Sequence, residues 1–430
     1  MKKITYRDLQ LDIEKKFSDA IESDMKKTFY DYEDDTGVNY LEEKHFHNLL
    51  IDTIEIKGHY LVDAITERIK KRLDLKDSSD FKLYLYQDDT FNINCFLRKD
   101  DPEHNKRTRK TLFVFVSPHF FNSLNEDEQV GIIGHEIAHQ LFGHFKYPIK
   151  SILSEKMDAN TTWELKSNLI YRSKIGEITA DLIGLVSNDF NHRSYSTALI
   201  KYTTGLDDSA NSTFSISPLI DIVLKQYNDF ADDPYIHDMI STHPIMPLRV
   251  KIINEVVDTK LIKHFGDKVS LKNYNIYKKE FNETVNNIIK TIYPELFLEN
   301  ENINEIIILM SIAVVLADKE IHESEDKYIR ALLKKAKKDY TKYTKIIFAN
   351  ENSFSFDEKI EQLIVESIRI VKDKVFDKSL IVPIIRKLLL VASSDGEIVK
   401  EELNVIYKFG KNFGIYILEI VQIINTQYKA

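Results

Sequence analysis

Asn125-Glu-Asp-Glu-Gln-Val-Gly-Ile-Ile-Gly-His-Glu-Ile-Ala-His-Gln-Leu-Phe-Gly143 is the stretch on which the reading of the whole chain turns. Asn125 is a good N-cap, and Glu128 stands at the capping-box position relative to it. Glu126, Asp127 and Glu128 place negative charge in the first turn, where the helix terminus is positive. Val130, Ile133, Ile137, Ala138, Leu141 and Phe142 form a helical apolar stripe, and Gly143 is a plausible stop. The stretch therefore predicts a helix with one buried face. On such a helix His135 and His139 lie one above the other, close enough to grip one ion through their imidazole nitrogens. Glu136, one position on, points near that ion without joining the pair, as a general base would. A core helix that carries two histidines by accident would show the same string.

A catalytic zinc takes three protein ligands and leaves a fourth position for water, so a further ligand is expected from a separate helix. Glu177-Ile-Thr-Ala-Asp181 supplies it. Glu177 and Asp181 are four apart and face one way: Glu177 can bind zinc while Asp181 accepts the outer N–H of a zinc-bound imidazole and fixes its tautomer. A Glu/Asp pair on a helix is also common as a solvated face. The other histidines carry less. His45 and His47 alternate without a third ligand, His104 sits in a charged loop from Lys99 to Lys110, and His144, five residues beyond His139, reads as a polar surface residue.

These motifs, in this order, resemble the HtpX, BepA and CAAX prenyl protease family of gluzincin metallopeptidases. Asn94-Cys95-Phe96 is similar to that family's Asn-Ala-Phe element, with cysteine in the alanine position. Thr111 to Ser117 matches the strand before the zinc helix, Gly134 to His139 the zinc helix and Glu177 to Asp181 the third-ligand helix. Thr242-His243-Pro244, with Arg249 six residues after the histidine, matches the Thr-His-Pro signature and its trailing arginine. Lys174 stands where the family often has an arginine, and Arg172 lies two residues earlier. The resemblance covers roughly residues 50 to 255 and implies an α+β, predominantly helical, zincin-like domain with a small sheet. It further implies metal-assisted peptide hydrolysis with Zn2+ on His135, His139 and Glu177, and with Glu136 as general base. His243 becomes a candidate donor to the oxyanion, with Arg249 as its neighbour or as an anchor. Thr-His-Pro also suits an ordinary turn. A substrate would add as a strand along Phe91 to Phe96, read through its backbone.

Composition is consistent with this. A chain of 430 residues suggests two or three domains, and 43% hydrophobic with 30% charged residues is ordinary for a globular protein. A net charge of -9, without a dense Lys/Arg cluster, argues against a nucleic-acid partner. The single cysteine, Cys95, fits a reducing compartment. Met1-Lys-Lys-Ile-Thr-Tyr-Arg-Asp has no apolar core of a signal peptide, and the longest apolar run, Ile306 to Ala317, is about half of what a bilayer needs. A cytoplasmic protein without a membrane span is expected.

Beyond about residue 300 long amphipathic helices are expected to dominate and a weak repeat appears. Ala317-Asp-Lys-Glu-Ile321 through Glu325 matches Ser394-Asp-Gly-Glu-Ile398 through Glu402, with Ile329 aligned to Ile406 and Leu332 to Phe409. This resembles the TerB-like helical domain of tellurite-resistance operons. Asp318, Glu320, Asp395 and Glu397 suit either cation binding or helix capping, and they lack the alternating oxygen ligands of an EF-hand. The expected organisation is an N-terminal extension of unknown role over 1–50, a zinc metallopeptidase domain over 51–295, and an all-α TerB-like domain over 303–430 that docks a protein partner. Leu49 to Leu75 reads as helical, Phe81 to Tyr86 as a strand, Leu248 to Ile292 as helices around the core, and 250–300 as the first suspect for a lid. The function expected is cleavage of cytosolic proteins. The competing expectation is a latent or non-catalytic zinc-binding scaffold that senses stress through its C-terminal helices.

Overall fold

The computed structural model describes residues 1–28, 50–51, 53–56, 60–75, 81–86, 93–99, 110–144, 163–206, 218–232, 243–297, 301–318, 355–374, 381–392, 398–418 and 420–421. The described residues are mostly helical, with a small sheet. His45, His47, Phe91, His104, Thr242, Glu320, Ile329, Leu332, Asp395 and Glu397 lie outside them.

Four strands, β2 (Thr53–Glu55), β3 (Phe81–Tyr86), β4 (Ile93–Lys99) and β5 (Lys110–Val116), form one sheet in the order β2-β3-β5-β4. β3 and β5 are parallel, and β2 and β4 flank them antiparallel. Alternation sends Val114 and Val116 into the main core, while Phe115 packs on the other face with Tyr84 and Tyr86. A two-residue ribbon pairs β1 (Lys2–Lys3) with β6 (Lys268–Val269). Of the helix expected from Leu49 to Leu75, Leu50, Ile51 and α2 (Tyr60–Leu73) are helical among the described residues; Thr53 and Ile54 are β-branched and pair with Tyr86 and Leu85 as a strand instead.

The centre of the molecule is α4 (Glu126–Leu141) packed on α5 (Trp163–Ser187). The predicted capping box closes: the Glu128 amide donates to Asn125 Oδ1 at 3.0 Å and the Asn125 amide to Glu128 Oε2 at 2.9 Å. The helix stops at Gly143, which takes φ +65°. α4 and α5 approach closely because Gly134 faces Ser187, where an added Cβ would lie 2.4 Å from the serine oxygen. Gly131 and Gly184 make room for the Tyr195 ring, which α6 (His192–Thr204) inserts between the two helices.

α1 (Asp12–Thr28) packs along α5 and contributes Ile13 and Phe17 to the same core as Ile133, Ile178 and Leu199. α7 (Leu219–Asp232), α8 (Met246–Val256), the short α9 (Lys260–Lys263) and α10 (Leu271–Ile292) close the other side. The segment expected to include a lid is instead packed core: Leu248, Ile253, Phe281 and Ile289 are buried. A second apolar cluster, Ile303 to Ile420, is built by α11 (Glu301–Val315), α12 (Phe356–Lys374), α13 (Ile381–Ala392) and α14 (Lys400–Lys411). No helix is long and apolar enough to cross a membrane among the described residues.

Candidate metal centre

His135 and His139 leave the same face of α4, and α5 brings Glu177 opposite them. His135 Nε2 lies 3.2 Å from His139 Nε2 and 3.4 Å from Glu177 Oε2, and His139 Nε2 lies 3.5 Å from Glu177 Oε1. Ligands on one tetrahedral zinc, at about 2.0–2.1 Å from the ion, stand about 3.3 Å from one another. The separations here are of that size, the two histidines approaching different oxygens of the Glu177 carboxylate. Two imidazoles and a carboxylate, with ligand atoms all within 4.8 Å, are therefore a donor set that fits zinc.

Asp181, one turn beyond Glu177, holds the far side of His135: His135 Nδ1 donates to Asp181 Oδ1 at 2.9 Å. The Asp181 carboxylate also accepts two bonds of 2.7 Å from Arg249 Nε and Nη2 and one of 2.9 Å from the Tyr195 hydroxyl. Burial raises the Asp181 carboxyl, but the Arg249 guanidinium overrides it and holds it below its ordinary value. Burial likewise pushes the His135 imidazole down, and its bonds to Asp181 and Glu177 win, leaving it at about 10. Burial drives His139 well below the ordinary histidine value. Glu177, despite burial, is held well below the carboxylate range by His139 and His135.

The catalytic candidates line the same space. Cys95, on the edge strand β4 opposite Val114, donates its thiol to Glu136 Oε2 at 2.7 Å. Burial raises the Glu136 carboxyl, and burial with the Glu136 charge pushes the Cys95 thiol well up. Asn94 and Phe96 flank it on β4, in register with Phe115 and Phe113. His243 is exposed at the mouth of the site, its Nε2 3.6 Å from Glu177 Oε1. Arg249 is an anchor for Asp181, reaching Glu177 only at 4.0 Å.

Three features escaped the sequence reading. His144 is not a surface residue: its side chain is 8% exposed, and its Nδ1 lies 2.7 Å from His139 Nδ1. Counting residues on a continuing helix put it off the ligand face, but the chain turns back at Gly143 and tucks the ring behind His139. Glu14 of α1, fully buried, sits 3.0 Å from His144 Nε2. No local pattern marks a residue more than a hundred positions away. Tyr195 gives no periodic signal beyond its place in an apolar helix, although the glycines that admit it are visible as Gly131 and Gly184. Lys174, where an arginine was expected, is buried with its ammonium 4.6 Å from the Tyr293 ring centre, and Arg172 reaches the loop instead, donating to the Gly143 carbonyl at 3.0 Å.

No curated protein and no solved structure matches the chain. The model of peptidase family M48 matches residues 61–257, a span that holds the two histidines, Glu136, Glu177, Asp181, His243 and Arg249. The matched stretch is similar to peptidases of that family, and it holds the whole His135, His139 and Glu177 donor set.

Proposed function

We propose that the chain is a zinc-dependent endopeptidase whose metal is held by His135, His139 and Glu177. The observation that carries this is the cluster of His135, His139 and Glu177, with ligand atoms all within 4.8 Å of one another, beside the buried Glu136 carboxylate. Zinc, when bound, supplies polarisation of a water and of the scissile carbonyl. Glu136, raised by burial and faced by a thiol, takes the proton of that water and delivers it to the leaving amine. Asp181, anchored by Arg249 and Tyr195, keeps the Nδ1 proton on His135 and its Nε2 lone pair toward the site. His243, at the open rim, donates to the oxyanion. β4 is one of the two edge strands of the sheet, and a peptide pairs there through its backbone.

The helices from Ile303 onward have their own apolar cluster, which supports an all-α TerB-like module; its docking of a protein partner is part of the same proposal. The single cysteine supports action on cytosolic proteins. The test is zinc content and casein cleavage of purified protein against Glu136→Gln. The variant keeps stoichiometric zinc and loses roughly 10²-fold or more in turnover. A wild type without zinc, or a Gln variant that cleaves equally well, refutes the reading.

A further inference from the structure

The two ligand histidines of α4 are held from behind by different parts of the chain. His135 leans on Asp181, within the span that matches the family model. His139 leans on His144, and His144 leans on Glu14, which lies outside that span in a segment with no sequence motif of its own. The bonds have one consistent proton order. The Glu14 carboxylate accepts from His144 Nε2 at 3.0 Å; His144 Nδ1 is then an acceptor for His139 Nδ1–H at 2.7 Å; and the His139 Nε2 lone pair is left facing His135 and Glu177.

The surroundings are fitted to this chain of bonds. Glu14 Oε2 accepts from the Thr179 hydroxyl at 2.6 Å, and Oε1 also accepts from Gln10 Nε2 at 3.2 Å. Gly176, next to the third ligand, leaves space for the His144 ring: an added Cβ there would sit 3.1 Å from ring carbon Cε1. Arg172 ties the loop to α1, donating to the Gly143 carbonyl and the Ser18 hydroxyl at 3.0 Å each. A fully buried carboxylate is costly unless its acceptor sites are filled, and here three donors fill them.

The geometry points to Glu14 and His144 as positioning residues for the metal ligand His139, so that docking of the first helix and binding of zinc stabilise one another. This rests on the zinc site proposed above. Groups that orient a metal-bound imidazole typically account for 10–100-fold in metal affinity, and a coupling between two binding events is felt equally by both.

The experiment measures zinc affinity of the full-length protein by competition with a chromophoric chelator, for wild type, Glu14→Gln, His144→Phe and the double variant. Each single variant is expected to weaken zinc about 10–100-fold, and the double variant no more than the stronger single, because both cut the same chain of bonds. A wild type that takes no zinc removes the site itself and this inference with it. A wild type that binds zinc while both variants match its affinity overturns this inference and leaves the site standing. Hydrogen exchange on the wild type decides without any substitution: zinc is expected to slow exchange in residues 13–23 of α1, and unchanged exchange there overturns the coupling.

Discussion

At the scale of single residues, Asp181 is the most heavily engaged group near the site, accepting from an imidazole, a phenol and both arms of a guanidinium. Arg249→Gln leaves that buried carboxylate short of its counter-charge, and urea unfolding of the metal-free protein should show a loss of about 3 kcal/mol. Asp8 gives a prediction in pH. Burial raises its carboxyl, but the bonds from Lys2, the Thr5 amide and Tyr274 lower it below 3.8. A group depressed in the folded state adds stability above its unfolded value and loses it as pH falls through the folded one. Stability should therefore fall as pH drops from 3.8 downward; Asp8→Asn should be less stable at neutral pH and flatter in that acid range, read from unfolding curves at several pH values. The cluster was legible in the sequence because helical spacing is a local rule: His135, His139, Glu177 and Asp181 each stand four from a partner. Glu14 was not legible, since its partners are brought to it only by the packing of α1 on α5.

At the scale of elements, the closeness of α4 and α5 rests on glycines rather than on a knobs-and-ridges surface. A Cβ at Gly184 would lie 2.5 Å from the Tyr195 ring and 2.7 Å from the Gly131 carbonyl. Neither the backbone nor the wedged ring can give way cheaply. Gly184→Ala should cost about 1–3 kcal/mol in thermal or denaturant unfolding, and it should weaken zinc binding as well, because the phenol it displaces orients Asp181. A substitution at Gly205, where no atom lies within 4 Å, carries only the cost of its φ of +70°. The sequence disclosed α4 in full, with both caps, because amide capping and apolar period are written within twenty residues. It misread Thr53 to Glu55, where a three-residue strand depends on a partner thirty positions away, and His144, where one left-handed glycine cancels helical counting.

For the whole molecule, two apolar clusters meet the chain near residue 300, one ending at Phe297 and one beginning at Ile303. A truncated chain of residues 1–299 should therefore fold and bind zinc with near-wild-type affinity; loss of zinc in a folded fragment would show that the C-terminal helices complete the site. The repeat beyond residue 300 marks the chain of the second cluster, whereas the part played by the first 28 residues was not legible, because Ile4, Leu9, Leu11, Ile13 and Phe17 reveal their face only once packed in the core. Those residues are tied to a late part of the chain: Lys278 donates to the Asp8 and Gln10 carbonyls at 2.7 Å each, and Asn282 donates to Asp12 at 2.9 Å. During synthesis the amino-terminal segment thus waits for some 270 residues of polypeptide before it can dock. Such long-range closure is slow to form. α4 and α5 are thus made well before α10, and the amino-terminal segment completes its hydrogen bonds only once α10 has been synthesised.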